Sequence, residues 1–323
     1  MFGRLCYGGL VALLLSSAAW AAEPPAVAEP TTPAEKKAAE KSNSLFLRIA
    51  RDDDRLPLSM DTAIVRYQAK KAGGPVVDLV AVVHVGEKAY YDQLNEKFKA
   101  YDAVLYELVA PAGAVPKAQR NGGGNPVSSM QHGLKKLLGL EFQLERIDYT
   151  PENFVHADMD PQQLAQRMRE RGENIFAMFF RMMGHSLRQQ AEGRGISNIE
   201  LLLALLNRDR ALGMKRVMAK QFEDLEGAVG ALAGPNGSVL INDRNTVALD
   251  VLKAEIAAGR QKLAIFYGAG HMPDFEKRLI ADFGLQPTGT VWLKAWNLAD
   301  AAARPQRCVR TAAILPAPPR AFA

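Results

Sequence analysis

Short apolar runs alternate with helical patterns over most of the chain. Residues 76–83 are almost continuously apolar, which is typical of a strand buried on both faces of a sheet. Residues 87–100 then carry large apolar side chains at spacings of three and four, which predicts a helix. Similar runs predict strands at 63–67, 103–106, 239–241, 263–267 and 290–296, and helices at 245–258 and 273–282. This alternation indicates an α/β fold with a mainly parallel sheet.

The middle of the chain has a different pattern. Residues 161–232 show helical periodicity and no run typical of a strand. We therefore expect a sheet made of two related βα halves, with a helical insertion between them. Each half has an apolar strand, a histidine (His84 or His271), a short turn and a helix in the same order. The Met- and Phe-rich stretch at 175–183 predicts a core helix, with the wall of an apolar substrate groove as the alternative.

The two ends of the chain lack the pattern of a folded domain. Arg4, an apolar run at 5–19 and the small residues Ala19 and Ala21 predict a signal peptide, 1–21, cleaved before Ala22. A membrane anchor would need about 20 apolar residues, which is more than this run provides. Residues 22–44 predict a disordered linker, residues 45–298 a single domain and residues 299–323 a loose tail. We therefore expect an exported protein, periplasmic or secreted, with no transmembrane segment in its mature chain.

Composition narrows the function classes. The net charge is +5, but the basic residues alternate with acidic ones, so we expect no nucleic-acid partner. The two cysteines, Cys6 and Cys308, leave no internal disulfide once the signal peptide is removed. The sequence has no serine nucleophile elbow and no His-Glu-x-x-His helix. A hydrolytic metal site in this chain would therefore use ligands that are scattered along the sequence.

Polar residues follow four of the predicted strands. His84 comes after the second strand, Glu107 after the third, the pair Asp243 and Arg244 after the run at 239–241, and His271 after the strand at 263–267. Because the carboxyl ends of parallel strands meet at one edge of a sheet, we expect these residues to share a cleft. Two imidazoles and a carboxylate form a plausible site for a divalent metal such as Zn or Mn.

Structural roles remain alternatives for these residues. A histidine after a strand can simply be a capping or hydrogen-bonded residue. Glu107 interrupts an apolar run, where a carboxylate is costly unless it is paired or bound. Arg244 either pairs with a carboxylate or binds substrate. Asp158 is a further candidate for the cleft, whereas the weaker candidates are His132, beyond the Gly-rich loop at 121–125, and His156 and His185.

Two short motifs resemble the TraB/PrgY/GumN family, which includes the TIKI proteases that inactivate Wnt ligands. The family hallmark is a pair of Gly-x-x-His motifs with a glutamate between them. Residues 268–271 match the second motif in full, and Glu107 matches the glutamate. In the first motif, which ends at His84, Ala81 stands where glycine is usual. The resemblance extends to residues 242–245, which are similar to an acidic-Arg-Asn segment of the family.

The resemblance implies a fold like that of erythromycin esterase and the haem-binding ChaN proteins, and a metal-dependent peptidase activity. We therefore expect a metal-dependent hydrolase that acts on a peptide or small-molecule substrate, with Zn, Mn or Co held by His84, Glu107 and His271. Glu107 is alternatively the general base, and Arg244 holds a substrate carboxylate or steadies Glu107. The alternative functions are a periplasmic binding protein for haem or another small ligand, and a protein that captures a peptide signal.

Overall fold

The computed structural model describes residues 46–70, 73–111, 113–114, 137–193, 196–223, 228–230 and 237–300. The predicted signal peptide, the linker, the Gly-rich loop, His132 and residues 301–323 of the tail lie outside these ranges. All the described residues belong to one compact unit.

The sheet contains seven strands, in which parallel and antiparallel pairs are mixed. A separate two-stranded ribbon is formed by β4 (Val85–Gly86) and β6 (Glu141–Phe142). The strands of the main sheet are β1 (Leu47–Arg51), β2 (Pro57–Ala69), β3 (Val76–Val82), β5 (Ala103–Tyr106), β7 (Phe154–His156), β8 (Lys262–Gly268) and β9 (Leu285–Asn297).

Strand directions are mostly parallel. β3, β8, β5 and β7 are parallel neighbours in that order. β2 is antiparallel to β1, β3 and β9, so it is the strand that runs against the rest. The central strands β3, β5 and β8 are almost wholly buried, in agreement with their continuous apolar sequences. The prediction of an α/β fold is therefore confirmed.

The helices surround this sheet. Between β7 and residue 237, the described residues contain helices and no strand. The helices are α1 (Lys88–Phe98), α2 (Gln143–Arg146), α3 (Pro161–Glu170), α4 (Ile175–Ala191), α5 (Asn198–Leu206), α6 (Arg210–Gln221), α7 (Arg244–Ala257) and α8 (Met272–Phe283). None of the helices in the described ranges is long and apolar enough to cross a bilayer.

The predicted strand at 239–241 is wrong. Val239–Asp243 form a π-helical turn that leads directly into α7. The turn forms because Ser238 and Glu173 bind its free backbone amides: the Ser238 hydroxyl accepts from Leu240 N at 3.0 Å, and a Glu173 carboxylate oxygen accepts from Val239 N at 2.8 Å. Asp243 and Arg244 are therefore at a helix start and do not follow a strand.

The predicted core position of the Met- and Phe-rich stretch is also wrong for most of its side chains. Met178 is buried, but Phe179, Phe180 and Met182 on α4 are exposed. The same helix exposes 59% of Leu187 farther along. Among the described residues, no side chain of this stretch lines the cavity at the candidate site, and Leu187 does not line it either.

Candidate functional site

Three of the predicted site residues follow neighbouring parallel strands. His84 comes two residues after β3, Glu107 directly follows β5, and His271 ends a 3₁₀ turn directly after β8. β8 lies between β3 and β5, so the three residues leave the sheet at the same edge. This is the edge at which open α/β sheets bind ligands.

The three side chains converge beside Gly268, the last residue of β8. A β-carbon at position 268 would lie 3.3 Å from Glu107 Oε2, 3.7 Å from His84 Nε2 and 3.8 Å from His271 Cδ2. The φ angle of Gly268 is −53°, which any residue can adopt. Glycine is therefore required here for space and not for backbone freedom.

Glu107 is held as an anion. Its Oε1 accepts from Arg244 Nη2 at 2.8 Å, and its Oε2 accepts from Gly268 N at 2.7 Å. Burial favours the neutral carboxyl group, but the charges of His271 (when protonated) and Arg244 outweigh it. With smaller contributions from His84 and the Gly268 amide, they lower the pKa of Glu107 to about 2.

Arg244 joins Glu107 to a second carboxylate. Its guanidinium donates two hydrogen bonds to Asp158, from Nε at 2.9 Å and from Nη2 at 2.6 Å. Burial disfavours the charged guanidinium, but the hydrogen bonds and charges of Asp158 and Glu107 outweigh it and raise the pKa of Arg244 above its usual value. Two carboxylates around one guanidinium leave one net negative charge in this buried cluster.

Asn245 fixes the tautomer of His271. The amide nitrogen of Asn245 donates to the carbonyl oxygen of His271 at 3.1 Å and to Asp274 Oδ2 at 2.9 Å, so its Oδ1 must be the atom 2.7 Å from His271 Nδ1. Because Oδ1 only accepts, Nδ1 of His271 carries the proton. Burial lowers the pKa of His271 to about 4, although the charge of Glu107 acts in the opposite direction. At neutral pH, Nε2 of His271 therefore has a free lone pair.

Gln143 has the same effect on His84. Its Nε2 donates to the Tyr149 hydroxyl at 2.9 Å, and its Oε1 lies 2.9 Å from His84 Nδ1. Nδ1 of His84 is therefore the donor, and Nε2 has the lone pair that faces Gly268. A second contact, from Gln143 N to the carbonyl oxygen of His84 at 2.9 Å, holds the two residues together.

The side chains thus present acceptors to one another. His271 Nε2 lies 3.5 Å from Glu107 Oε1, and in the neutral histidine no proton lies between them. His84 adds a third acceptor at the same place. Electron pairs that face one another across this distance repel, so the arrangement favours a bound cation. Imidazole nitrogen and carboxylate oxygen are ligands that Zn²⁺ and Mn²⁺ accept.

A cavity of about 320 Å³ opens onto these side chains. Apart from His84, Glu107 and His271, its lining side chains are apolar in the described part of the chain. Phe222 and Trp296 meet edge to face in its wall, with their ring centroids 5.7 Å apart. The apolar lining residues with large side chains are Leu47, Val82, Val83, Val85, Leu138, Met218, Phe222 and Trp296.

Other predicted residues lie elsewhere. Asp243 pairs with Arg171 and not with Arg244. His156, at the end of β7, contacts the carbonyl oxygen of Leu108 through Nε2 at 2.6 Å. His185 lies on α4 and contacts Gln189 on the same helix. These positions leave His84, Glu107, His271 and Arg244, with Asp158, in the cluster.

Gln143 and Asn245, which support the two histidines, were not predicted from the sequence. Asn245 directly follows Arg244 and lies in the segment at 242–245, so that motif contained a signal for it. Gln143 is an isolated amide at the start of α2, and we find no pattern in the sequence that distinguishes it.

Within the described residues, no three His, Cys, Asp or Glu side chains are already spaced as a metal-ligand set. The geometry above is therefore a convergence of acceptors, in which 3.5 Å separates two potential ligand atoms, Nε2 of His271 and Oε1 of Glu107. No model of a known protein family, no curated protein and no solved structure matches this chain.

Proposed function

We propose that this chain is a divalent-metal-dependent hydrolase, most readily a peptidase. One observation carries the proposal: two histidines, each fixed by an amide side chain, direct Nε2 lone pairs toward the carboxylate of Glu107. Amide or carboxylate partners that orient ligand histidines are a regular feature of metal sites. The net negative charge of the buried cluster also suits a divalent cation. The resemblance to the TraB/PrgY/GumN family supports the same interpretation.

The proposed ligands are His84, Glu107 and His271. A divalent ion held by them supplies Lewis acidity, which polarises a carbonyl group and acidifies water. A carboxylate whose two oxygens already accept hydrogen bonds from Arg244 and the Gly268 amide is a weak proton acceptor near neutral pH. Glu107 therefore acts as a ligand and not as the general base. Arg244 steadies Glu107, since Asp158 and Glu107 already bind its guanidinium.

The proposed substrate has an apolar group next to the bond that breaks. The cavity places Met218, Phe222 and Trp296 beside the acceptor cluster, and such a wall gains little from a charged side chain. Its volume of about 320 Å³ is near the lower end of the roughly 300–1,000 Å³ that ligand pockets span. A short peptide segment or a small ester suits these dimensions.

The proposal also includes the internal arrangement of the domain. We regard the strand-helix units before and after residues 161–232 as two related halves and the intervening helices as an inserted layer. Met218 on α6 lines the cavity, so this layer would contribute to substrate binding.

We also propose export with cleavage before Ala22, which an intact mass of the protein secreted by its host will test. A full-length mass would contradict it.

Metal analysis and a cleavage assay test the activity. The protein is purified without chelator, loaded in turn with Zn, Mn and Co, and incubated with a peptide library whose products are read by mass spectrometry. We expect about one ion per chain and cleavage next to apolar residues. His84→Ala and His271→Ala should lose both ion and cleavage, whereas the control His185→Ala should keep both.

Two results would overturn the proposal. If no loaded form cleaves a peptide or an ester, the chain is not this hydrolase. If the protein binds haem with an iron-dependent absorbance and cleaves nothing, the cleft is a binding site, as in the alternative function considered above.

A further inference from the structure

Helix α4 has the composition of a cationic amphipathic helix. Its 17 residues include two arginines, one histidine and no acidic residue. Phe179, Phe180, Met183 and Leu187 recur at helical spacings of three and four, so they share one side of the helix. Arg181 and Arg188, seven residues apart, lie on the other side. A helix with this division of side chains is suited to a membrane surface.

The apolar side of α4 is turned away from the protein core. Phe180 and Leu187 are each 59% exposed, and among the described side chains of the helix only Met178 is buried. A helix of a globular protein normally packs its apolar side against the core. Within the described part of the chain, the apolar side of α4 therefore lacks the cover that its sequence predicts.

Helix α5 repeats this arrangement. Ile199, Leu202, Leu203 and Leu206 form a stripe at spacings i, i+3, i+4 and i+7, and each is between 57% and 72% exposed. The side that faces the core is instead small: Ala204 is buried, and a β-carbon at Gly213 of α6 would lie 2.8 Å from its carbonyl oxygen.

The close contact between α5 and α6 fixes which side of α5 faces outward. Gly213 lets the two backbones approach, so α5 cannot rotate its leucines inward without separating from α6. Large exposed apolar patches on proteins mark interaction sites. The fold therefore fixes the outward direction of the apolar stripe on α5.

The positive charge of this part of the chain favours an anionic partner. Residues 161–221 contain 11 Lys and Arg against 5 Asp and Glu, a net charge of +6, which becomes +4 when Arg171 and Lys215, paired with Asp243 and Glu87 outside the segment, are set aside. The whole chain carries +5. Two copies that met through this region would bring like charges together, which disfavours self-association. An anionic lipid surface would attract it, and exposed phenylalanine and leucine side chains would enter the interface.

We propose that α4 and α5 form a membrane-surface contact for anionic bilayers. The contact, here the α4–α5 face, comprises Phe180 and Leu187 of α4 with Ile199, Leu202, Leu203 and Leu206 of α5. The arginines on the opposite side of α4 remain in the headgroup and water layer. This contact is independent of the proposed hydrolase activity, because no residue of the face lines the cavity at His84.

Vesicle sedimentation is the first test. The full chain is mixed with vesicles of phosphatidylcholine alone or with phosphatidylglycerol at 30 mole percent as the anionic lipid, a conventional composition. We expect preferential binding to the anionic vesicles that weakens as salt is raised. The double variant Leu202→Glu/Leu206→Glu should lower the partition coefficient by about tenfold or more, since it removes two apolar side chains and adds two repelled charges. Replacing Arg181 and Arg188 by Gln should lower the partition coefficient about fivefold for each charge removed.

Control variants test whether the α4–α5 face, and not another part of the protein, causes the vesicle binding. Val291→Glu places one glutamate, half the added charge of the double variant, at an exposed apolar position on β9, where Val291 is 51% exposed, and should bind as the parent does. All forms carry the same N-terminus, so binding through the apolar run at 5–19 is common to them. Hydrogen exchange then locates the contact: anionic vesicles should slow exchange in peptides covering residues 175–206 and leave residues 285–297 unchanged.

Three outcomes would overturn the proposal. The first is equal binding to neutral and anionic vesicles with no slowing of exchange at 175–206. The second is an equal loss of binding in the Val291→Glu control. The third is protection of residues 175–206 without vesicles that grows with protein concentration, which would assign the face to a second copy of the chain. Circular dichroism of each variant confirms that its fold is retained.

Discussion

Two buried carboxylates, Asp78 and Glu107, lie near opposite ends of the parallel strands. Asp78 is near the amino end of β3 and is surrounded by donors: Arg66 binds both of its oxygens at 2.9 Å, and the Tyr101 hydroxyl donates at 2.7 Å. Glu107 follows the carboxyl end of β5 and has two donors of its own, but it also faces the lone pairs of two imidazoles.

The difference separates a structural ion pair from a site. The surroundings of Asp78 satisfy it within the protein, so it stabilises the sheet and leaves nothing for a ligand to do. Arg244 and the Gly268 amide also hold Glu107 as an anion, but two imidazole lone pairs face it as well, and in the proposed site a cation would bind them together. Burial and an arginine partner are thus common to both carboxylates. Their roles differ because the Tyr101 hydroxyl is the further neighbour of Asp78, whereas two imidazoles are the further neighbours of Glu107.

The largest effects should come from neutralising each carboxylate in turn. Asp78→Asn should lower the free energy of unfolding by about 3 kcal/mol, because it removes the buried charge to which Arg66 and the Tyr101 hydroxyl hydrogen-bond, and should leave metal affinity unchanged. Glu107→Gln should weaken metal binding by about 100-fold or more, with a stability loss of about 1–2 kcal/mol, since Arg244 keeps Asp158 as a partner. Denaturant unfolding and calorimetric metal titration measure the two quantities.

An inverted result would break the comparison. If Asp78→Asn weakens metal binding as much as Glu107→Gln does, the metal does not bind at the carboxyl ends of the strands.

Filling the space beside Gly268 should have the next largest effect. In Gly268→Ala the methyl group would lie 3.3 Å from Glu107 Oε2 and 3.7 Å from His84 Nε2, where an ion would be bound. We expect metal affinity to fall by about 100-fold, at the upper end of the effect of disturbing ligand support, while the fold is kept. Gly289→Ala, which would place its methyl group in open space, is the matched control. Unchanged affinity in Gly268→Ala would exclude the cluster as the metal site.

Acidification should weaken the metal-free protein through His271. The pKa of His271 is about 4 in the fold, chiefly because of burial, against an ordinary value of 6.5. The unfolded chain therefore binds the proton first, so the contribution is fully present above pH 6.5 and is lost as the pH falls toward 4. We expect a loss of about 3 kcal/mol over this window, measured by denaturant unfolding. His271→Gln should flatten the profile there, and an unchanged profile would contradict a neutral buried imidazole.

Glu107 should cause a further loss of folding stability at lower pH. Its pKa of about 2 in the fold lies below its ordinary 4.5, so its contribution is present above pH 4.5 and is lost as the pH falls toward 2. The Asp78 end carries no histidine in contact with the carboxylate, so variants there should leave the window between pH 4 and 6.5 as it is in the parent.

The smallest effect should come from the amide that orients His84. Gln143→Ala removes the acceptor that holds the proton on Nδ1, and we expect metal affinity to fall about tenfold. Gln143→Glu restores an acceptor for Nδ1 and should recover most of the affinity. If both variants bind metal as the parent does, the tautomer of His84 is not controlled by residue 143.

Periodicity predicted most of the sheet and its helices. The strands at 76–83, 103–106 and 263–267 were correct because continuous apolar runs leave few other choices, and their order placed three of the site residues at one edge. The run at 239–241 failed because a few apolar residues suit a strand or a helix start equally well. What decides it is Glu173, a distant residue that binds the amide of Val239.

Side-chain partners were harder to predict than positions. The pairing of Arg244 with Asp158 joins residues 86 apart, and neither periodicity nor local spacing indicates it. The outward direction of α5 was equally inaccessible, because its leucine stripe is the same whether it faces a core or a solvent. A contact with the backbone at Gly213 settles the direction, and that contact exists only in the folded chain.

The place of β8 in the sheet has a consequence for how the chain folds during synthesis. β8 begins at residue 262 and lies between β3 and β5, which are complete by residue 106. Until β8 has left the ribosome, β3 and β5 each lack the neighbour that their hydrogen-bonding groups require. Pairings between residues so far apart in the chain form slowly, and apolar strands with open edges are prone to aggregate in the meantime. A nascent chain stalled before residue 262 should therefore need a chaperone to remain free of aggregates.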